Sequence, residues 1–425
     1  MKRYFTERQI QRLLWILIAG GCVARLLDVF CNNPLDHLRS DSLRHWSNGL
    51  KFLHPDYMGG YDPIGYQVYM FLLQSITGQN RWLIAFMTGL LSVGMPWTYY
   101  RAARELGMSK NRSLFLWTLM VWMPSLFFIY QFFMMETLLL FMMGLGFWMT
   151  GRCLRKGTPG SLWLATAAWT FACLTKAIPL PLAAACLLYA WWKRSRKISH
   201  ALAAIVLVGL LLLPNAIRSR HILGFSAPLG NVWLPQVHHR AGTKSIRIEN
   251  GGASWRYSSP SCYIQPLAPL SPWMMERAYN DDTVCVKTDR ASGGRDWKEA
   301  YGKIHVTWKE WFTRWLENMV LFLFAPPWPD CYTGTWLGMI NYWQRWLWGP
   351  LIFFLMDCNF RMFRRRCFDL IPVVATLFTL WLFSQNMATM EGRFRKPLEP
   401  VLLLNLAWMM RRGKIEKNHI SPNIS

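Results

Sequence analysis

The sequence predicts an all-α polytopic membrane protein: about ten transmembrane helices, interfacial helices in the first outer loop, and a small irregular outer domain. Three observations predict it. Of the 425 residues, 53% are hydrophobic and only 16% charged, whereas soluble domains carry about 25% charged residues. Apolar runs of about the length that crosses a hydrocarbon core recur along the chain. Basic clusters fall on every second connection between those runs. Mean hydropathy is only +0.13, so part of the chain lies in water. The 25 Trp and 25 Phe suit the boundary between lipid and water, where an apolar ring meets polar headgroups.

Inside lipid the backbone must satisfy its own hydrogen bonds, which makes the runs helices. They cover roughly 10–30, 81–100, 113–130, 136–151, 161–175, 177–192, 199–217, 341–358, 367–384 and 397–411. The first has no small-residue cleavage site and reads as a retained helix, not a signal peptide. The basic clusters are Lys2/Arg3/Arg8/Arg12, Arg101/Arg104/Lys110/Arg112, Arg152/Arg155/Lys156, Lys193/Arg194/Arg196/Lys197, Arg361/Arg364/Arg365/Arg366 and Arg411/Arg412/Lys414/Lys417. By the positive-inside rule they are cytoplasmic, as are both termini. The net charge of +24 is therefore a topology signal, and nucleic acid is not the expected partner.

Two connections on the opposite side are long. In the first, about 31–80, residues 42–53 and 64–76 read as amphipathic helices lying along the membrane. The second, about 218–340, is polar and rich in Gly and Pro through 226–296 and then aromatic from Trp297 to Phe324, an additional interfacial helix stopped by Pro326 and Pro327. The chain thus divides into 1–217, an N-terminal transmembrane module with the first outer loop; 218–340, the outer segment; and 341–425, the C-terminal helices and tail. No internal repeat is evident. The ten Cys show no CxxC or Cys/His spacing of a zinc site. Cys262 and Cys285 fall in the outer segment, where an oxidising compartment would permit a disulfide.

Ionisable groups at the non-cytoplasmic helix ends are the candidates for chemistry, because charge near lipid is costly and marks function. Asp41, followed by Arg44 and His45, opens the first interfacial helix. Its carboxylate can take a proton from an acceptor or hold a divalent cation such as Mg or Mn; the simpler single role, for it or for Ser40, is to cap the helix, and the two roles are compatible. Asp36 lies five residues upstream. Glu136 is the only charge between Arg112 and Arg152; its bland role is to complement the helix dipole. Lys176 breaks an otherwise apolar hairpin, either reaching up to the interface or meeting a phosphate. Arg393, Arg395 and Lys396 break the positive-inside pattern in a short outer loop. Arginine forks match phosphate oxygens, and anionic lipid is the simpler alternative.

In this order of short motifs the sequence resembles the GT-C superfamily of polyprenyl-phosphate-dependent glycosyltransferases, in particular the branch with protein O-mannosyltransferases and the lipid A aminoarabinose transferase. That family carries an acidic motif, often Asp-Glu then Arg-Tyr, in its first outer loop. Here the stretch is Asp41-Ser-Leu-Arg-His45, so Asp41 matches the first acid while Ser42 and His45 replace the second acid and the Tyr. Tyr61-Asp-Pro-Ile-Gly-Tyr66 is similar to the aromatic, Pro-rich segment that follows, with Asp62 where some members have Lys. Glu136 matches the acid of the second outer loop, and Lys176 a basic residue after the fifth helix. Arg393-Phe-Arg-Lys-Pro-Leu-Glu-Pro400 is similar to the late Arg-Tyr-x-x-Pro-x-x-Pro signature.

The resemblance implies a polyprenyl-phosphate-sugar donor, a glycan, lipid or protein acceptor, and a site outside the cytoplasm in the plasma (inner) membrane of a prokaryote. It implies inverting displacement, with Asp41 as base and Glu136 beside it. Lys176, Arg393 and Arg395 would hold the phosphate. Arg44, His45, Tyr61 and Tyr66 would contact substrate. No cofactor is required, and use of a divalent cation stays open. Rivals are a ligase or polymerase moving lipid-linked glycans, a lipid-linked-sugar transporter, and a scaffold binding anionic lipid. Transporters tend to carry internal repeats and midplane charges, which this sequence lacks.

Overall fold

The computed structural model describes residues 6–38, 41–54, 64–195, 197–223, 226, 228–229, 308–324, 336–385 and 392–410, and the backbone of 244–249, 252–257 and 284–286. The apolar part of the chain is helical. The helices are α1 (Glu7–Cys31), α2 (Asp41–Leu50), α3 (Ile64–Thr77), α4 (Arg81–Glu105), α5 (Lys110–Trp122), α6 (Pro124–Phe127), α7 (Met135–Lys156), α8 (Pro159–Thr175), α9 (Leu180–Ala190), α10 (Ile198–Leu223), α11 (Trp308–Phe324), α12 (Trp336–Arg364), α13 (Leu370–Gln385) and α14 (Glu399–Met409). Short 3-10 turns lie at Pro34–His37, Phe128–Gln131 and Gly392–Arg395.

Local chemistry sets several boundaries. Thr6 and Gln9 form a reciprocal capping box at the start of α1, with Gln9 N donating to Thr6 Oγ1 and Thr6 N to Gln9 Oε1. Asn80 caps α4 by accepting from the amides of Trp82 and Leu83. Gly157, in the left-handed region at φ 68°, ends α7.

Among the described residues three helices are long and apolar enough to cross a membrane: Glu7–Cys31, Met135–Lys156 and Ile198–His221. A fourth crossing results if α5 and the following Pro124–Gln131 segment count as one broken span, bent by 75°. The sequence predicts one continuous helix over 113–130, and Pro124 is the reason it breaks. Proline lacks an N–H and disfavours the helical conformation at the residue before it; Met123 is accordingly extended at ψ 115°.

The break frees backbone carbonyls, and Arg25 of α1 takes them up. Its Nε donates to Val121 O (2.8 Å), Nη2 to Met120 O (2.8 Å), and Nη1 to Leu126 O (2.9 Å) and to Ser92 O and Oγ. Arg25 is fully buried, so these bonds replace the water that the guanidinium has lost.

The core lies between α4, α7 and α8, with α1 and α5 along α4. Gly144 of α7 faces Thr98 and Tyr99 of α4 at a distance that leaves no room for a Cβ, so the two backbones pack closely. Tyr99, Phe147 and Trp169 fill the interface beside it. At one end of this bundle Arg155 pairs with Glu105. The other end carries the 3-10 turns, α2 and α3.

Of the helices expected to lie along the membrane, α2 ends at Leu50, and α11 covers Trp308–Phe324; residues 297–307 lie outside the described residues. Within the segment predicted to be irregular, Lys244–Glu249, Gly252–Tyr257 and Val284–Val286 form a three-stranded antiparallel sheet in the order β1-β2-β3. Ile246 and Ile248 alternate with polar neighbours in β1, the period-two pattern of a strand. Cys262 and the side chain of Cys285 lie outside the described residues.

Candidate functional site

The site is assembled at the end of the bundle where α1 finishes, α7 begins, α8 finishes and α14 begins. α2 is held there by two contacts with the segment leading into α7. Ser42 Oγ accepts from Phe133 N at 3.1 Å, and Trp46 stacks on Phe133 with centroids 5.0 Å apart. Gln74 of α3 donates to Trp46 O. These contacts bring the N-terminus of α2, and Asp41 with it, beside the first turn of α7, where Glu136 sits.

Four sequence-predicted residues meet in a chain of ion pairs. Arg393 Nη1 donates to Asp41 Oδ2 at 2.8 Å, and Arg393 Nε lies 3.6 Å from Glu136 Oε1. Lys176 Nζ donates to that same Oε1 at 2.7 Å. Arg44 closes the other side, with Nη2 3.1 Å from Asp41 Oδ1. Glu136 is 1% exposed and Arg393 11%, whereas Asp41 is 27% and Arg44 47% exposed. The cluster therefore grades from a buried carboxylate to an open rim. Among the described residues three cations here face two carboxylates, an excess of positive charge. Burial drives the Asp41 carboxyl upward, but the Arg393 and Arg44 charges outweigh it and hold the group far below its ordinary value.

Phe394 organises the two inner cations. Lys176 Nζ lies 4.8 Å from its ring centroid and the Arg393 guanidinium 5.4 Å. The negative ring face attracts both and offsets some of their mutual repulsion. Gly65 packs against the Leu174–Thr175 backbone that leads into Lys176. A Cβ there would stand 2.7 Å from the carbonyl carbon of Leu174 and 2.8 Å from Thr175 N. Gly65→Ala is expected to push α3 off this turn at a cost of about 1–3 kcal/mol, read as a lower melting temperature in detergent. Unchanged melting would show that the turn has room.

His45 and Tyr66 are fully buried. They pack edge to face with centroids 5.0 Å apart, and the Gln67 amide nitrogen lies 3.3 Å from His45 Nδ1. They back the cluster from the protein side. Tyr61 and Asp62 lie outside the described residues. Asp36 pairs with Arg81 away from the cluster.

Arg395 departs most from its expected place. It is fully buried, donates through Nη1 to Phe322 O (2.6 Å) and Leu323 O (2.9 Å) at the end of α11, and pairs through Nε with Glu399 Oε1 at 3.2 Å. Lys396 Nζ donates to Ser125 O, and Ser125 Oγ to Glu399 Oε2. Arg393 is thus the cation of this loop that meets Asp41 and Glu136, while Arg395 and Lys396 fasten the loop to α11 and α6. The i, i+4 spacing of Arg395 and Glu399 is the sequence signal for that fastening.

Among the described residues no three His, Cys, Asp or Glu side chains gather to hold a metal ion. Both Asp41 oxygens already face guanidinium groups, so this donor set does not fit a divalent cation. No family model matches the sequence, and no curated protein matches it significantly.

Proposed function

We propose that the chain is a GT-C-type membrane glycosyltransferase that moves a sugar from a polyprenyl-phosphate donor to an acceptor on the extracytoplasmic face. The observation that carries this reading is the run of charges Asp41–Arg393–Glu136–Lys176, assembled from four separate parts of the chain. With Arg44 at its rim the cluster holds three cations against two carboxylates, which suits an anion whose charge grows during the reaction, as a phosphodiester becomes a departing phosphate monoester. Preorganised charge aimed at such a group is often the largest catalytic term.

In the proposed reaction the acceptor hydroxyl or amine attacks the anomeric carbon and its proton passes to Asp41. The bond from that carbon to the phosphate oxygen breaks, and polyprenyl phosphate leaves against Arg393 and Lys176. One displacement inverts the anomeric centre. Glu136 holds the two cations together. Arg44 stands at the open rim, where an acceptor would enter.

In the same reading α4, α8, α9, α12, α13 and α14 join α1, α5–α6, α7 and α10 as membrane spans. Large apolar side chains exposed on several of them support this: Trp82, Phe86 and Leu90 on α4, Trp163 and Phe171 on α8, Phe353 and Phe354 on α12, and Leu377 and Leu380 on α13. The Glu105–Arg155 end then faces the cytoplasm of a prokaryotic cell and the Asp41 end faces outward.

The test is binding of polyprenyl phosphate to the purified protein, followed by transfer from a radiolabelled single-sugar lipid. Wild type is expected to bind the lipid, and Arg393→Ala to bind it about 10–100-fold more weakly, as for loss of a charged hydrogen bond. No binding by wild type, or equal binding by both, removes the phosphate site. Binding without single-sugar transfer points to a lipid-linked oligosaccharide as the substrate.

A further inference from the structure

Resting on that reading, we infer that Arg393 is shared between Asp41 and the donor phosphate, so that donor binding uncovers Asp41 as the base. In the structure each oxygen of Asp41 is paired with a guanidinium group. Oδ2 takes Arg393 Nη1 at 2.8 Å, and Oδ1 takes Arg44 Nη2 at 3.1 Å. A carboxylate tied to two guanidinium groups is a weak proton acceptor, because each pairing favours the charged form. Among the described residues the other charged or titratable groups near it are His45, buried on the same helix, and Glu136 with Lys176 beyond Arg393. None of these three stands at the open rim as an alternative base.

Arg393 is placed to change partners. It is suspended between two carboxylates, with a close contact to Asp41 and a longer one, 3.6 Å, to Glu136. Glu136 is anchored independently by Lys176 at 2.7 Å. A phosphate arriving beside Arg393 and Lys176 competes with Asp41 for Nη1. When it wins, the guanidinium keeps Glu136 and gains the phosphate, so no buried cation is stranded. Asp41 keeps the exposed Arg44, whose pairing is weak in water. Oδ2 is vacated and becomes the oxygen that receives the acceptor proton. The phosphate that must be stabilised as it leaves thus also switches on the base.

The experiment uses polyprenyl phosphate as the probe on the full chain in detergent. Asp41 is labelled with a carbodiimide and an amine nucleophile in mildly acidic solution and quantified by peptide mass spectrometry. In wild type, labelling is expected to be low and to rise several-fold when the lipid binds. In Arg393→Ala it is expected to be high from the start and insensitive to lipid. Lipid that binds in an Arg393-dependent way yet leaves wild-type labelling unchanged or lower would overturn this inference alone. A wild-type protein that binds no polyprenyl phosphate overturns the glycosyltransferase reading, and this inference with it.

Discussion

Asp41→Asn is expected to lower sugar transfer by a factor of about 10²–10⁴, the usual contribution of a positioned general base, while leaving the protein folded. Asn keeps the shape and remains well suited to the first turn of α2, so Ser42 and Trp46 should still seat that helix against Phe133. What is lost is the charge. Arg393 and Arg44 lose a counter-ion, and Arg393 turns fully to Glu136 and to the donor. Polyprenyl phosphate should therefore bind to Asp41→Asn at least as tightly as to wild type. Turnover assays with single-sugar lipid, paired with lipid titrations, separate the two effects. Transfer within tenfold of wild type would rule out Asp41 as the base. Weakened lipid binding would instead place Asp41 among the groups that support the phosphate.

Glu399→Ala is expected to destabilise the protein by about 3–5 kcal/mol, the cost of breaking a buried ion pair from one side. Arg395, Lys396 and Glu399 are all fully buried, and the Glu399 carboxylate pairs with Arg395. Its removal leaves two adjacent cations facing the neutral carbonyls of Phe322, Leu323 and Ser125. The loop bearing Arg393 would loosen, so lipid binding should weaken together with the melting temperature. Replacing Arg395 and Glu399 together by Met should recover part of the stability, because one buried cation leaves with the carboxylate while Lys396 keeps its bond to Ser125 O. A single variant that melts like wild type would show that water reaches this cluster and screens it.

Much of the site is legible in the amino-acid sequence, and for a physical reason. Ionisable side chains are rare in an apolar chain because lipid penalises them, so Glu136 and Lys176 stand out as single positions and Asp41 and Arg393 as members of short charged groups. Their gathering is not legible there. Arg393 and Asp41 are 352 residues apart, and no periodicity connects positions at that separation. Nor does composition separate Arg393 from Arg395 and Lys396. Arg393 and Arg395, two residues apart on a tight 3-10 turn, point in different directions, and Lys396 lies just past that turn, so one cation meets Asp41 while its neighbours meet α11 and α6.

The sequence alone determined that the apolar part of this chain is helical, with segments suited to a membrane, and placed acids and bases near the helix ends. Those properties follow from residue polarity and run length, which are local. The tertiary structure alone decided the break at Pro124 and the use of Arg25 to satisfy it. It also decided which arginine faces Asp41 and that Gly65 meets the backbone of Leu174 and Thr175. Each of these depends on which distant backbone carbonyl or side chain comes within about 3 Å, the range over which a hydrogen bond forms.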